Sequence, residues 1–88
     1  MAWTLEYSPA AQKALRKLDR QTSGRILTRL AEISELEDAH SRGKALTGKL
    51  TGLWRYRVDD YRVVVKIEGQ RLVILVVTVG NRREVYRG

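Results

Sequence analysis

Arg55 and Arg57 share one parity in the segment Leu53 to Val58, and Arg62 and Lys66 share one parity in Tyr61 to Ile67; Arg82, Arg83 and Tyr86 follow near the C-terminus. A planar guanidinium grips phosphate through paired hydrogen bonds and stays charged at any accessible pH. A cluster of them is therefore suited to holding an anion and offsetting charge that develops on it. Tyr86 adds a phenol that can donate, accept or stack. Two plainer explanations stand beside these: arginine stems covering apolar surface on a solvated sheet face, and a terminal aromatic packed on a sheet edge.

Other chemistries find little support. The chain has no cysteine, which removes thiolate nucleophiles, disulfides and thiolate metal sites. The lone His40 falls in a polar connection without clustered carboxylates and reads as a solvated loop histidine rather than a metal ligand. Ser8, Ser23, Ser34 and Ser41 have no obvious base. Gly48 and Gly52 lack the strand-to-helix context and the Lys-Ser/Thr ending of a phosphate loop. No metal and no cofactor is expected.

Seventeen Lys and Arg against ten Asp and Glu leave a formal charge of +7 on 88 residues. A surplus of this density points to a polyanionic partner, whether nucleic acid, acidic protein or membrane surface; a merely soluble basic surface is the plainer account. The length suits one domain spanning 1–88. The N-terminal MAWTLEYSPAAQK has no secretory signature, and the longest apolar run, Leu72 to Val77, is strand-sized, so no membrane span is expected.

The elements that must position the cluster are read from periodicity. Trp3, Leu5 and Tyr7 alternate with polar residues as a short strand, and Ser8-Pro9 then signals an N-cap followed by proline in the first helical turn. Ala11, Ala14, Leu15 and Leu18 form the apolar stripe of a basic first helix. Asp19 caps a second helix running to about Asp38, with a stripe of Ile26, Leu27, Leu30, Ile33 and Leu36. A polar connection from Ala39 to about Gly52 leads into segments of period two. With Asp59 and Asp60 as a tight turn, Val58 pairs with Tyr61, Arg57 with Arg62, Tyr56 with Val63, Arg55 with Val64, Trp54 with Val65 and Leu53 with Lys66. Trp54, Tyr56 and Tyr61 then share the buried face with Val58, Val63 and Val65, although aromatics interleaved with arginines also suit base stacking. Glu68 and Gly69 make the next turn, Arg71 to Val79 forms a covered strand, and Gly80 breaks it. The fold class expected is α+β: an N-terminal strand, a helical hairpin, then a three-stranded antiparallel meander, with the helices packed on one face of the sheet.

This order of elements, the basic hairpin, and the stretches KALTGKLTGLWRYRVDDYRVVVKI and VGNRREVYR resemble the RelE/ParE superfamily of bacterial toxin-antitoxin toxins over nearly the whole chain. The resemblance implies a cytoplasmic toxin restrained by a cognate antitoxin in a hetero-oligomer, with no membrane partner. For the RelE branch it implies a metal-independent endoribonuclease that cuts mRNA in the ribosomal A site by attack of the 2′-hydroxyl on the adjacent phosphate. For the ParE branch it implies a DNA gyrase inhibitor without nuclease residues. Carried over by position, the active-site residues would be Arg55, Arg57, Arg62, Arg82 and Tyr86; the neighbouring cations Lys49, Lys66 and Arg83 are expected to bind the RNA. The pair at Arg55 and Arg57 is lysine in well-known members, and arginine cannot exchange a proton as lysine does.

Overall fold

The computed structural model describes residues 2–81. Strand β1 (Thr4–Tyr7) leads into helices α1 (Pro9–Lys17) and α2 (Arg20–Ser34); strands β2 (Lys44–Ala45), β3 (Trp54–Val58), β4 (Tyr61–Glu68) and β5 (Val73–Asn81) follow. The five strands form one sheet in the order β1-β5-β4-β3-β2. β1 lies parallel to β5, and every other neighbour pair is antiparallel. The α+β class, the helical hairpin and the meander are as expected.

Both helix starts follow their caps. Ser8 Oγ accepts from the Ala11 amide at 3.0 Å and donates to the Val77 carbonyl at 2.6 Å. Val77 sits at a β-bulge: β4 pairs Val65 with Val76 and Val64 with Thr78, which leaves Val77 without an opposite residue. One hydroxyl therefore starts α1 and takes up a carbonyl that the bulge removes from the ladder. Ser8→Ala is expected to lower stability by about 2 kcal/mol, since it loses the cap and strands that carbonyl; thermal unfolding of the variant measures it. At α2, the Asp19 carboxylate accepts from the Thr22 hydroxyl at 2.6 Å and the Thr22 amide at 3.0 Å. These two bonds, the hydroxyl first, hold the Asp19 carboxyl below its usual range.

The second helix is shorter than its sequence suggests, ending at Ser34 rather than near Asp38. Glu35 and Leu36 donate to Glu32 and Ile33 in a tightened last turn. Trp3 then takes the freed acceptors, its amide bonding the Ser34 carbonyl at 2.7 Å and its indole the Leu36 carbonyl at 3.1 Å. Leu27 also departs from expectation. It is 42% exposed, whereas Ile26, Leu30 and Ile33 are buried, because i, i+4 and i+7 centre the stripe and Leu27 falls on its flank.

The connection from Ala39 to Gly52 contains more structure than a polar loop. Two 3-10 turns, Ala39–Arg42 and Gly48–Leu50, flank the two-residue strand β2. His40, still 37% exposed at its side chain, is more than a solvated loop residue. Its ring meets Trp54 edge-on, with centroids 4.6 Å apart, and its Nδ1 lies 2.8 Å from the Asp38 carboxylate. Ala39 is buried, and its carbonyl accepts from the Tyr56 hydroxyl at 2.8 Å. Gly43 packs against that same ring: a Cβ there would stand 3.1 Å from both the Tyr56 ring and the Arg55 carbonyl. Glycine is what lets β2 close onto β3 at this point.

The β3–β4 hairpin keeps the expected register for the five pairs from Trp54–Val65 to Val58–Tyr61, across the two-residue turn Asp59-Asp60. Asp59 adopts φ +54°, a left-handed conformation that Asp tolerates better than most residues. The sixth pair does not form. Leu53 precedes β3, and its carbonyl accepts from Leu46 instead. β5 begins at Val73 rather than Arg71 and continues through Gly80, where Gly80 pairs with Arg62.

Candidate functional site

The helices pack on one face of the sheet. Tyr56, Val58, Val63, Val65, Ile74 and Val76 form one core cluster with Ile26, Leu30 and Ile33 of α2, and Trp54 and Tyr61 pack against it. Alternation sends the intervening side chains of β3 and β4 to the opposite face. There stand Arg55 and Arg57 from β3, Arg62 and Lys66 from β4, and Lys44 from β2, which pairs with Arg55. The core assignment of Trp54, Tyr56 and Tyr61 therefore holds for the described structure.

On this second face Arg57 stands directly opposite Arg62. Like charges in that relation cost up to about 1 kcal/mol. Arg57 and Lys66 are exposed, while Arg55 and Arg62 are half-buried. Between Arg62 and Lys66, Val64 is 2% exposed although it lies outside the core cluster, with Arg55 opposite it on β3 and Thr78 on β5. Val64 is thus a nearly buried apolar position between the cations of the two strands. Gly80 contributes no side chain beside Arg62.

Arg42, Lys44, Arg55 and Arg57 line a groove of about 180 Å³ on the β2 side of this face. Its described lining is entirely cationic. A groove of about 410 Å³ between α2 and the β3–β4 turn is of mixed sign, since Glu32 and Asp59 join Arg20, Arg25 and Arg29 there, and Asp59 pairs with Arg25 at 3.5 Å. Arg42 and Lys44 were not singled out from sequence. A two-residue strand carries no readable period, and Arg42 ends a 3-10 turn; only the return of the chain against β3 brings them beside Arg55.

The remaining expected residues divide in two. Lys49 is exposed on the 3-10 turn Gly48–Leu50, apart from the groove lining. Arg82, Arg83 and Tyr86 lie outside the described residues. Among the described tyrosines, Tyr56 is unsuited to act as a base: burial, with the Asp38 charge second, pushes its phenol well above the ordinary value.

A family model for the ParE toxin of the type II toxin-antitoxin system parDE matches residues 5–86. The chain belongs to this family. It is thus a toxin of the RelE/ParE superfamily. Solved structures of similar fold include the toxin-antitoxin complex RelBE2 from Mycobacterium tuberculosis, matched at 21% identity over 93% of each chain with a TM-score of 0.81. The archaeal RelE-RelB complex from Pyrococcus horikoshii matches at 23% identity over 96% of this chain and 99% of the other, with a TM-score of 0.73. The isolated RelE toxin of E. coli matches at 23% identity over 97% of this chain and 92% of the other, with a TM-score of 0.72. No curated protein sequence matches the chain. Identities this low bear on fold, and the helical hairpin on a mixed sheet is that fold.

Proposed function

We propose that this toxin is a metal-independent endoribonuclease that cuts mRNA in the ribosomal A site and thereby inhibits translation. The observation that carries the reading is the sheet face turned away from the helices: Arg55, Arg57 and Arg62 stand there in fixed register, with Arg57 directly opposite Arg62, a like-charge pair that an anion would stabilise. In the reaction a 2′-hydroxyl attacks the adjacent phosphate, and the three arginines together with Arg82 bind that phosphate and offset the charge developing on its oxygens. Tyr86 stacks on a base or takes the 2′-hydroxyl proton. A free tyrosine titrates near about 10, so the surrounding guanidiniums would have to favour its phenolate for it to serve at neutral pH. Lys49, Lys66 and Arg83 supply further contacts to the RNA backbone.

Several solved neighbours are complexes of RelE with RelB, and a cognate antitoxin that covers this face is the corresponding partner here. An acidic or extended segment would suit a surface of charge +7. A reporter mRNA tests the assignment. Arg62→Ala and Tyr86→Phe should each reduce translation-dependent cleavage about 100-fold or more; cleavage equal to wild type would remove them from the site.

A second reading is favoured by the family match itself, which is to ParE: inhibition of DNA gyrase with no RNA chemistry. It predicts arrested replication with intact mRNA. The in-register arginines on the face turned away from the helices favour the nuclease.

A further inference from the structure

We propose that Lys44 is the general acid of the cleavage reaction, giving its ammonium proton to the 5′-oxygen that leaves; this rests on the nuclease reading above. Lys44 pairs with Arg55 across β2 and β3, and it shares the groove of about 180 Å³ with Arg42, Arg55 and Arg57. It is exposed and borne on an edge strand of two residues, so it meets a substrate without displacing any packing.

The chemistry requires such a group. As the 2′-oxygen bonds to phosphorus, the bond from phosphorus to the 5′-oxygen breaks, and the departing alkoxide is about as basic as hydroxide, far more basic than any amine. Arginine holds its proton too tightly to supply one, which disqualifies Arg42, Arg55, Arg57 and Arg62. Ammonium groups titrate near about 10.4, so transfer from lysine to the alkoxide is downhill. His40 is engaged elsewhere, against the Asp38 carboxylate and the edge of Trp54, whose ring packs on the helix-covered core. Lys66 is on the correct face but stands opposite Leu75, beyond Val64, and does not line the groove.

The balance closes. The proton of the 2′-hydroxyl passes to the Tyr86 phenolate that the reading above requires, the proton of Lys44 Nζ passes to the 5′-oxygen, and the products are a 2′,3′-cyclic phosphate and a 5′-hydroxyl. The phenol then gives up a proton to solvent and the neutral amine takes one back, which restores both groups. Lysine absent from Arg55 and Arg57 is thus replaced from the neighbouring strand.

The test compares wild type, Lys44→Arg and Lys66→Arg on ribosomes programmed with mRNA whose cleaved linkage carries either the natural 5′-oxygen or a bridging 5′-sulfur. A thiolate leaves without being protonated. Lys44→Arg keeps the charge but loses the transferable proton, so cleavage of the oxygen linkage should fall by about 100- to 10,000-fold, while the sulfur linkage is cut at near the wild-type rate. Any loss in Lys66→Arg should be the same on both linkages. Equal losses in Lys44→Arg on both linkages would make Lys44 a phosphate contact and overturn the assignment, as would no loss on either. If wild type cuts neither linkage, the nuclease reading fails and this assignment falls with it.

Discussion

Arg57→Gln is expected to lower translation-dependent mRNA cleavage about 100-fold while leaving the folded state as stable as wild type, or more stable by up to about 1 kcal/mol. The opposite signs follow from one geometric fact. Arg57 is exposed and stands directly opposite Arg62 on the face turned away from the helices. In the free protein the two guanidiniums repel; around a phosphate they act together, each contributing donors in a rigid planar fork. Glutamine keeps a long polar side chain and removes only the charge. Thermal unfolding and a cleavage assay on the same preparation read both quantities. A variant that lost activity and stability together would indicate that Arg57 supports the sheet rather than the chemistry.

Tyr56 is expected to behave in the reverse way. It lies between Arg55 and Arg57 in β3, is 1% exposed, and donates to the carbonyl of buried Ala39 at 2.8 Å. Burying this one ring fixes the parity of the strand, and so sends both neighbouring arginines to the other face. Tyr56→Phe removes only the hydroxyl and leaves the Ala39 carbonyl without its partner, at a cost of about 1–3 kcal/mol. For a domain of this size each kcal/mol lowers Tm by about 4–8 °C. Tyr56→Ala adds a cavity and should cost about 3–5 kcal/mol, a large part of the stability of a typical small domain. Folded Tyr56→Phe should still cleave at close to the wild-type rate, since its phenol takes no part in the chemistry. Thermal melts of both variants, with activity normalised to folded protein, check the pair of expectations.

What could be read in the sequence depended on the length of each repeating pattern. The β3–β4 hairpin was legible because both segments alternate over several residues and Asp59-Asp60 leaves a single compact turn between them. With that register, Arg55, Arg57 and Arg62 separate from Trp54, Tyr56 and Tyr61 without further information. Ser8-Pro9 and Asp19 were legible as helix starts because capping is local chemistry. Apart from Leu27, on the flank of its own helical stripe, the misreadings involve distant partners. The end of α2 is set by Trp3, more than 30 residues earlier in the chain, which binds the carbonyls of Ser34 and Leu36. The bulge at Val77 reflects the pairing of β4 with β5 and has no signature in Val76-Val77-Thr78 alone. Lys44 escaped notice for the same reason. Its place beside Arg55 depends on Gly43 fitting against the Tyr56 ring, a contact between segments that no local period reveals.

The arginine face is the part of the account that carries function, and its target separates RNA chemistry from action on DNA. Induction of the toxin without its antitoxin, with mRNA integrity and plasmid supercoiling read from one culture, tests that target directly. The nuclease reading predicts mRNA cut only where it is being translated, with supercoiling unchanged at early times, and it predicts that Arg62→Ala restores intact mRNA. Intact mRNA accompanied by altered supercoiling would contradict it.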